Sequence, residues 1–285
     1  MKEEISDHLV INFFFCFSPR SPRTTIHLLT IMRFDRYIPT ERLRPFVKQF
    51  AVSEQETEHE YKVLPSTGLV IGFQYRGQLA TFVKDEPVKL ETAGISGMAD
   101  RYKSFRNTAG TGTVLIYFTE TGFTHFCSHP ANALFNLSIS LTEIFDKQAV
   151  HQAEEKLSLA TNDKQRIRVV EHFLLQHLKH IDRDRLIVEA VQLIYQSKGT
   201  IRIKELQEKL FISQSPFEKR FRRLVGTTPK KFASVIRFNA VLDDLHHSRS
   251  LIDICYENNF FDQAHFIKDF KQFTGETPEQ FRQDK

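Results

Sequence analysis

Three cysteines in 285 residues, Cys16, Cys127 and Cys255, stand far apart with no paired spacing. That excludes a disulfide framework and the spacing of a zinc module, and it fits a reducing, cytoplasmic location. Long hydrophobic runs are also lacking. The apolar stretch at residues 9–17 is too short to cross a bilayer. It is flanked by Glu3, Glu4 and Asp7, and no small-residue cleavage site follows, so neither a membrane span nor a secretory signal is indicated. No His-x-His pair, glycine-rich phosphate loop, Gly-x-Ser-x-Gly elbow or His-Glu-x-x-His helix occurs, which removes the usual marks of metal-using, nucleotide-using and hydrolytic enzymes. His125, Cys127 and His129 come nearest to a ligand set, and they read better as the end of a strand before Pro130. No catalytic residue, metal or cofactor is therefore expected. A formal net charge of +4 is too small to name a partner; the position of the basic residues says more.

What the sequence does hold is a pattern that occurs twice. Residues 213–232 read SQSPFEKRFRRLVGTTPKKF and residues 262–281 read DQAHFIKDFKQFTGETPEQF. A shift of 49 places Ser213 on Asp262, Phe217 on Phe266, Phe221 on Phe270, Gly226 on Gly275, Pro229 on Pro278 and Phe232 on Phe281. A fixed-period self-match names the structural unit. Ser213 and Asp262 suit N-caps. Ile212 can staple onto Phe217, and Phe261 onto Phe266. Each phenylalanine pair lies four apart on one helix face. Gly226 and Gly275 suit the left-handed position after a helix, and Thr228-Pro229 and Thr277-Pro278 start the next one. A second start competes in the first copy, because Ser215-Pro216-Phe217-Glu218 also reads as cap, first-turn proline and capping-box Glu; the staple and the repeat favour Ser213. A short amphipathic helix precedes each copy, at residues 202–210 and 251–258. Helix, short turn and capped helix make a helix-turn-helix, here twice, joined by a long helix at 230–247.

Residues 185–285 resemble the two-helix-turn-helix DNA-binding domain of the AraC/XylS family of transcription regulators. The resemblance rests on Asp253-Ile254, Asn259 through Phe266, Phe270-Lys271, Phe273-Thr274-Gly275 and Thr277-Pro278. The family usually has Ala where Gln207 and Cys255 stand, and Gly where Phe211 and Asn259 stand in the turns. Asn tolerates a left-handed turn and Phe does not, so the first turn is expected to have unusual geometry. Both recognition helices are implied to enter successive major grooves on one face of double-stranded DNA.

With the phenylalanines inward, the DNA-facing side of the first helix offers Gln214, Ser215, Glu218, Lys219 and Arg222, and that of the second offers Gln263, Ala264, His265 and Lys268. Lys pairs with guanine, Gln with adenine and Glu with cytosine, each good pair contributing roughly 1–3 kcal/mol of discrimination. Arg222, Arg223, Lys230, Lys231 and Lys271 are expected on phosphates, which position without reading sequence. Seven Lys or Arg against one Glu fall between Pro216 and Arg237.

Ahead of this domain the composition changes. Residues 1–31 read as a disordered leader or a misassigned start, with Met32 as the true beginning. A short helix is expected at 41–50, then strands at 69–75, 79–83, 88–90, 102–105 and 114–118, a spacing that suggests a sandwich or small barrel. AraC-type regulators often carry a cupin-like barrel here, and segments 63–68 and 118–123 resemble its two ends. Phe73, Tyr75, Phe82, Tyr102, Phe105, Tyr117 and Phe118 are candidate pocket aromatics, with core packing the stronger reading for most. Arg76, Arg101 and Arg106 are candidates for meeting an acidic effector. Residues 131–182 are expected to be helical, with a stripe of Ile167, Val170, Phe173, Leu174, Leu178 and Ile181 that packs on the barrel or pairs two chains.

The expected architecture is α+β: a β-rich, cupin-like domain at 32–130, a helical linker at 131–182 and an all-α domain with two helix-turn-helix motifs at 183–285. The function this implies is sequence-specific transcription regulation, with no membrane partner. The resemblance admits a small-molecule effector, a homodimer and a contact with RNA polymerase. The rival readings are an effector-independent regulator whose β domain serves assembly, and a cupin-like enzyme fused to a DNA-binding domain.

Overall fold

The computed structural model describes residues 32–83, 86–245, 250–258, 260 and 262–283. The leader at 1–31, Cys16, Asn259, Phe261 and the end of the long helix after residue 245 lie outside the described residues. Ten strands come first: β1 (Met32–Tyr37), β2 (Val47–Gln55), β3 (His59–Val63), β4 (Val70–Arg76), β5 (Leu79–Val83), β6 (Glu86–Lys89), β7 (Ala93–Ser96), β8 (Lys103–Asn107), β9 (Thr111–Phe118) and β10 (Ser138–Ser140). They form two sheets, ordered β1-β2-β9-β4-β7-β10 and β3-β8-β5-β6, antiparallel throughout. Helices α1 (Lys147–Leu159) and α2 (Asp163–His177) cover the outer face of the larger sheet. The architecture is α+β, a two-sheet β domain followed by helices.

The period of two along each strand explains the layering. On β4 and β9, Ile71, Phe73, Val114, Ile116 and Phe118 point to the helices and share one core with Ile167, Val170, Phe173 and Leu174 of α2. Phe73 meets Phe173 with ring centroids 5.5 Å apart. The alternate residues Val70, Gly72, Gln74, Thr113, Leu115 and Tyr117 face the other way. The helical stripe expected to pack on the barrel or pair two chains is thus used within the chain, although Ile181 stays exposed.

Two expected helices are corrected. At 41–50 the chain makes two short turns, Arg44 N–H donating to Thr40 O at 3.1 Å and Val47 N–H to Leu43 O at 2.8 Å, and then enters β2. Pro45 has no N–H and restricts the residue before it, so the first turn cannot propagate. From 131 to 146 the chain is not continuous helix: a short 3-10 turn (Ala131–Leu134) leads to β10, which pairs with β7. The linker expected at 131–182 therefore contributes a strand to the larger sheet.

The remainder is helical: α3 (Arg185–Gln196), α4 (Ile203–Lys209), α5 (Gln214–Val225), α6 (Pro229–Leu245), α7 (Leu251–Glu257), α8 (Gln263–Thr274) and α9 (Pro278–Gln283). Two cores lie side by side. Phe217, Phe221 and Val225 of α5 pack with Ile187, Ile194 and Leu206. Phe266, Phe270 and Phe273 of α8 pack with Ile254 and Phe281. Helix α6 serves both, giving Phe232, Ala233 and Ile236 to the first and Val235, Phe238, Val241 and Leu242 to the second. One rigid rod with two apolar faces thus fixes the two motifs against each other.

Candidate nucleic-acid interface and cavity

Helices α4 and α5 form the first helix-turn-helix, and α7 and α8 the second. Gly226 and Gly275 take the left-handed conformation, with φ of 103° and 82°, and their N–H groups close the ends of α5 and α8 on Arg222 O and Lys271 O. Asp262 caps α8, its Oδ1 accepting from His265 N–H at 2.7 Å. Ser213 occupies the N-cap of α5, as the repeat predicts, but its side chain makes no cap bond. Glu218 is not in a capping box; it accepts from Gln214 Nε2 at 3.1 Å, one turn away. Phe211 has φ of 52°, so the first turn has the geometry a glycine would give, and the expectation of an unusual turn is corrected.

Gln214, Ser215 and Lys219 on α5, and Gln263, Ala264, His265 and Lys268 on α8, are exposed; Glu218 is half-buried. Ser215, Lys219, Ala264 and Lys268 lie opposite the buried phenylalanines, and all eight residues fall in the first half of their helices. Arg222, Arg223, Lys230 and Lys271 are exposed as well. Other basic residues of the same run are committed inside the protein. Arg220 holds Asp184 through two bonds of 2.9 and 2.7 Å. Arg237 lies over the Phe260 ring at 4.3 Å, 3.8 Å from Asp269, and burial lowers its pKa. Lys231, expected on phosphate, is half-buried and ion-paired to Asp100 of the β domain.

Between the two sheets lies a cavity of about 520 Å³, within the usual range for small-molecule sites. Small side chains at the middle of the larger sheet's inner face leave room for it. Gly72 and Gly94 are paired neighbours there, with Ser96 and Thr113 beside them. Opposite stand Tyr61, Val63, Leu79, Thr81 and Phe105 of the smaller sheet. Of the seven aromatics singled out in the sequence, Phe105 and Tyr117 line the cavity. Phe73 and Phe118 belong to the helix-covered core, and Tyr75 donates to Glu54 at 2.7 Å. Of the three arginines, Arg101 reaches the lining, whereas Arg76 and Arg106 pair with Glu54 and Glu58.

Two lysines at the cavity were missed in the sequence, Lys89 and Lys103, and Lys103 is the more buried. Its Nζ donates to Leu137 O at 2.9 Å and Ser138 Oγ at 3.0 Å. It pairs with no carboxylate among the described residues, and burial pushes its pKa down to about 8. The only signal was its alternation with Arg101 and Phe105. His125 is buried against the Phe46 ring at 4.5 Å, its Nδ1 3.2 Å from Thr121 O. Among the described residues no three His, Cys, Asp or Glu side chains gather as a metal site, and no helix is long and apolar enough to cross a membrane.

Residues 206–284, which span α5 through α8, match the family model of a helix-turn-helix domain. Ahead of it, residues 35–140 match a domain of unknown function, DUF6597. Among solved structures, ToxT from Vibrio cholerae is similar with a TM-score of 0.45 and 9% identity over 89% of this chain and 98% of that chain. ToxT from Vibrio cholerae O395 bound to (E)-4-(8-methylnaphthalen-1-yl)but-3-enoic acid gives 0.43 and 9% over 90% and 100%. The AraC-like transcriptional activator CuxR gives 0.27 and 12% over 80% and 92%. No curated protein matches the chain.

Proposed function

We propose that the chain is a sequence-specific transcription regulator that reads two successive major grooves with α5 and α8, under control of a small molecule in the β-domain cavity. The observation that carries this reading is the pair of capped helices held by α6, each with its apolar face buried and its polar first half exposed. Lys219 and Lys268 are the base-reading cations, Gln214 and Gln263 the adenine-reading amides, and Arg222, Arg223, Lys230 and Lys271 the phosphate contacts.

The cavity supplies the control. Its walls are mainly apolar, and Lys103 is a partly desolvated ammonium with hydrogen bonds but no anion. An apolar molecule with one acidic group satisfies both features, the body covering apolar wall and the acid neutralising Lys103.

Selection of DNA by the purified protein tests the reading, run at one salt concentration because phosphate contacts make affinity salt-dependent. A two-part site is expected, Lys219→Ala relaxing one part and Lys268→Ala the other, about one helical turn away. Absence of any enriched sequence, or a site with a single readable part, sinks the two-helix reading.

A further inference from the structure

The cavity wall and the surface that holds the DNA-binding domain are the same two pieces of chain. Along residues 97–103 the side chains alternate. Ala99, Arg101 and Lys103 line the cavity. Met98, Asp100 and Tyr102 point outward to the helical domain. Met98 is 1% exposed and sits in the core of the first helix-turn-helix. Asp100 ion-pairs with Lys231 on α6, and its backbone oxygen accepts from Gln272 Nε2 on α8 at 3.1 Å. The Tyr102 ring lies against Gly275 at the end of α8. The neighbouring strand repeats the scheme: Tyr61 and Val63 face the cavity, while Lys62 pairs with Glu276 and donates to Thr274 O at 3.3 Å.

Residues 97–102 link β7 to β8, and their side chains alternate between the cavity and the helical domain, so displacing one set moves the backbone that carries the other. Residues 98–102 touch both helix-turn-helix motifs, so a displacement of their inner face reaches both. Asp100 is where this bears on DNA. Burial raises its pKa, but the bonds from Lys231 and Asn136 outweigh that and hold the carboxyl below its ordinary value. It is therefore ionised at neutral pH and competes with DNA phosphate for the Lys231 ammonium.

We infer that the 98–102 segment is a relay from the cavity to both DNA-reading motifs, and that its output is the exchange of Lys231 between Asp100 and a DNA phosphate. This rests on reading the cavity as the effector site and α5 and α8 as the DNA-reading helices. A cavity occupant that displaces the segment releases Lys231; with the pair intact, Lys231 is withheld from the backbone.

Salt dependence of binding to the selected site, in the full chain, reads this directly. Each phosphate neutralised changes the slope of log K against log salt by about −0.9. Lys231→Gln is expected to leave the slope unchanged, because Asp100 already withholds that charge. Asp100→Asn is expected to steepen it by about 0.9, and to do nothing when Lys231→Gln is also present. Gly72→Val stands in for an occupant. Gly72 is not part of the relay, and a Cβ there meets only Leu115 and Thr113 at 3.4 and 3.8 Å, so the valine projects into the cavity. It is expected to steepen the slope as Asp100→Asn does, again only when Lys231 is present. A slope reduced by Lys231→Gln alone overturns the exchange even if the Asp100 variant fails to fold. Slope changes that persist without Lys231, or no change with Gly72→Val, overturn the relay while leaving the DNA reading standing. A wild-type protein with no site-specific complex removes both.

Discussion

Phe211 sits where a glycine belongs. It follows Leu210, the C-cap of α4, and the two bonds that end that helix, Phe211 N–H to Glu208 O at 3.3 Å and Ile212 N–H to Gln207 O at 3.1 Å, form the Schellman arrangement that requires a left-handed residue at this place. Its φ of 52° meets the requirement, at a steric cost of about 1–2 kcal/mol for a residue with a Cβ. The ring returns almost nothing, being 97% exposed. Phe211→Gly removes the strain and adds chain freedom to the unfolded state, which costs about 0.5–1 kcal/mol. The difference is a stabilisation of about 0.5–1 kcal/mol. At about 2–4 °C per kcal/mol for a chain of this size, thermal denaturation should show a rise of about 1–4 °C. Phe211→Ala keeps the Cβ and the strain, and should melt within about 1 °C of wild type. A fall in melting temperature for the glycine variant refutes the reasoning, since it requires that the exposed ring makes a contact stronger than the strain it imposes.

Three further outcomes follow from the geometry. Lys103 has its pKa pushed down to about 8 in the folded protein, against about 10.4 in an unfolded chain. Between those values the unfolded state holds more protons, so stability rises with pH; Lys103→Met should be more stable than wild type below pH 8, with the gap closing as pH rises to about 10.4, as urea titrations across that range would show. The same ammonium makes capture of an apolar acid weaken above pH 8, where binding must first take up a proton; a calorimetric titration with decanoic acid should show this, and decanol should show no such dependence. Tyr195 donates to the Glu120 carboxylate, which Lys48 also holds at 2.6 Å, and its hydroxyl oxygen lies 2.7 Å from Thr67 Oγ1. Tyr195→Phe leaves a buried carboxylate one donor short and should cost about 1–3 kcal/mol in denaturant unfolding; no measurable loss would show that the α3 contact with the β domain contributes nothing.

Most of the DNA-binding half was legible in the sequence because its signals are local. The N-cap at Ser213, the cap bond of Asp262, the left-handed Gly226 and Gly275 and the inward phenylalanines each depend on residues a few positions apart, and the repeat gave every one of them twice. Two details within it were not legible: Ser213 makes no cap bond, and Lys231, basic and on the expected surface, answers through a tertiary contact to an acid 131 residues away. In the β half, the strands at 79–83 and 114–118 were readable from apolar runs. β1, β3 and β10 were not, because short edge-type strands of mixed polarity owe their structure to the partner that pairs with them.

By itself, the sequence determined the elements whose free energy is settled within a turn or two: capped helices, their apolar stripes, and a tandem pair of helix-turn-helix units. Only the tertiary structure decided which side of each β strand became core and which became cavity. Both faces carry apolar residues, and the difference lies in Gly72 meeting Gly94 across the sheet while Phe73 meets Phe173. It likewise decided that Asp100, Lys62 and Glu120 join the two halves, through pairs separated by 131, 214 and 75 positions. Such contacts form only once the chain has closed long loops, and no local pattern of residues records them in advance.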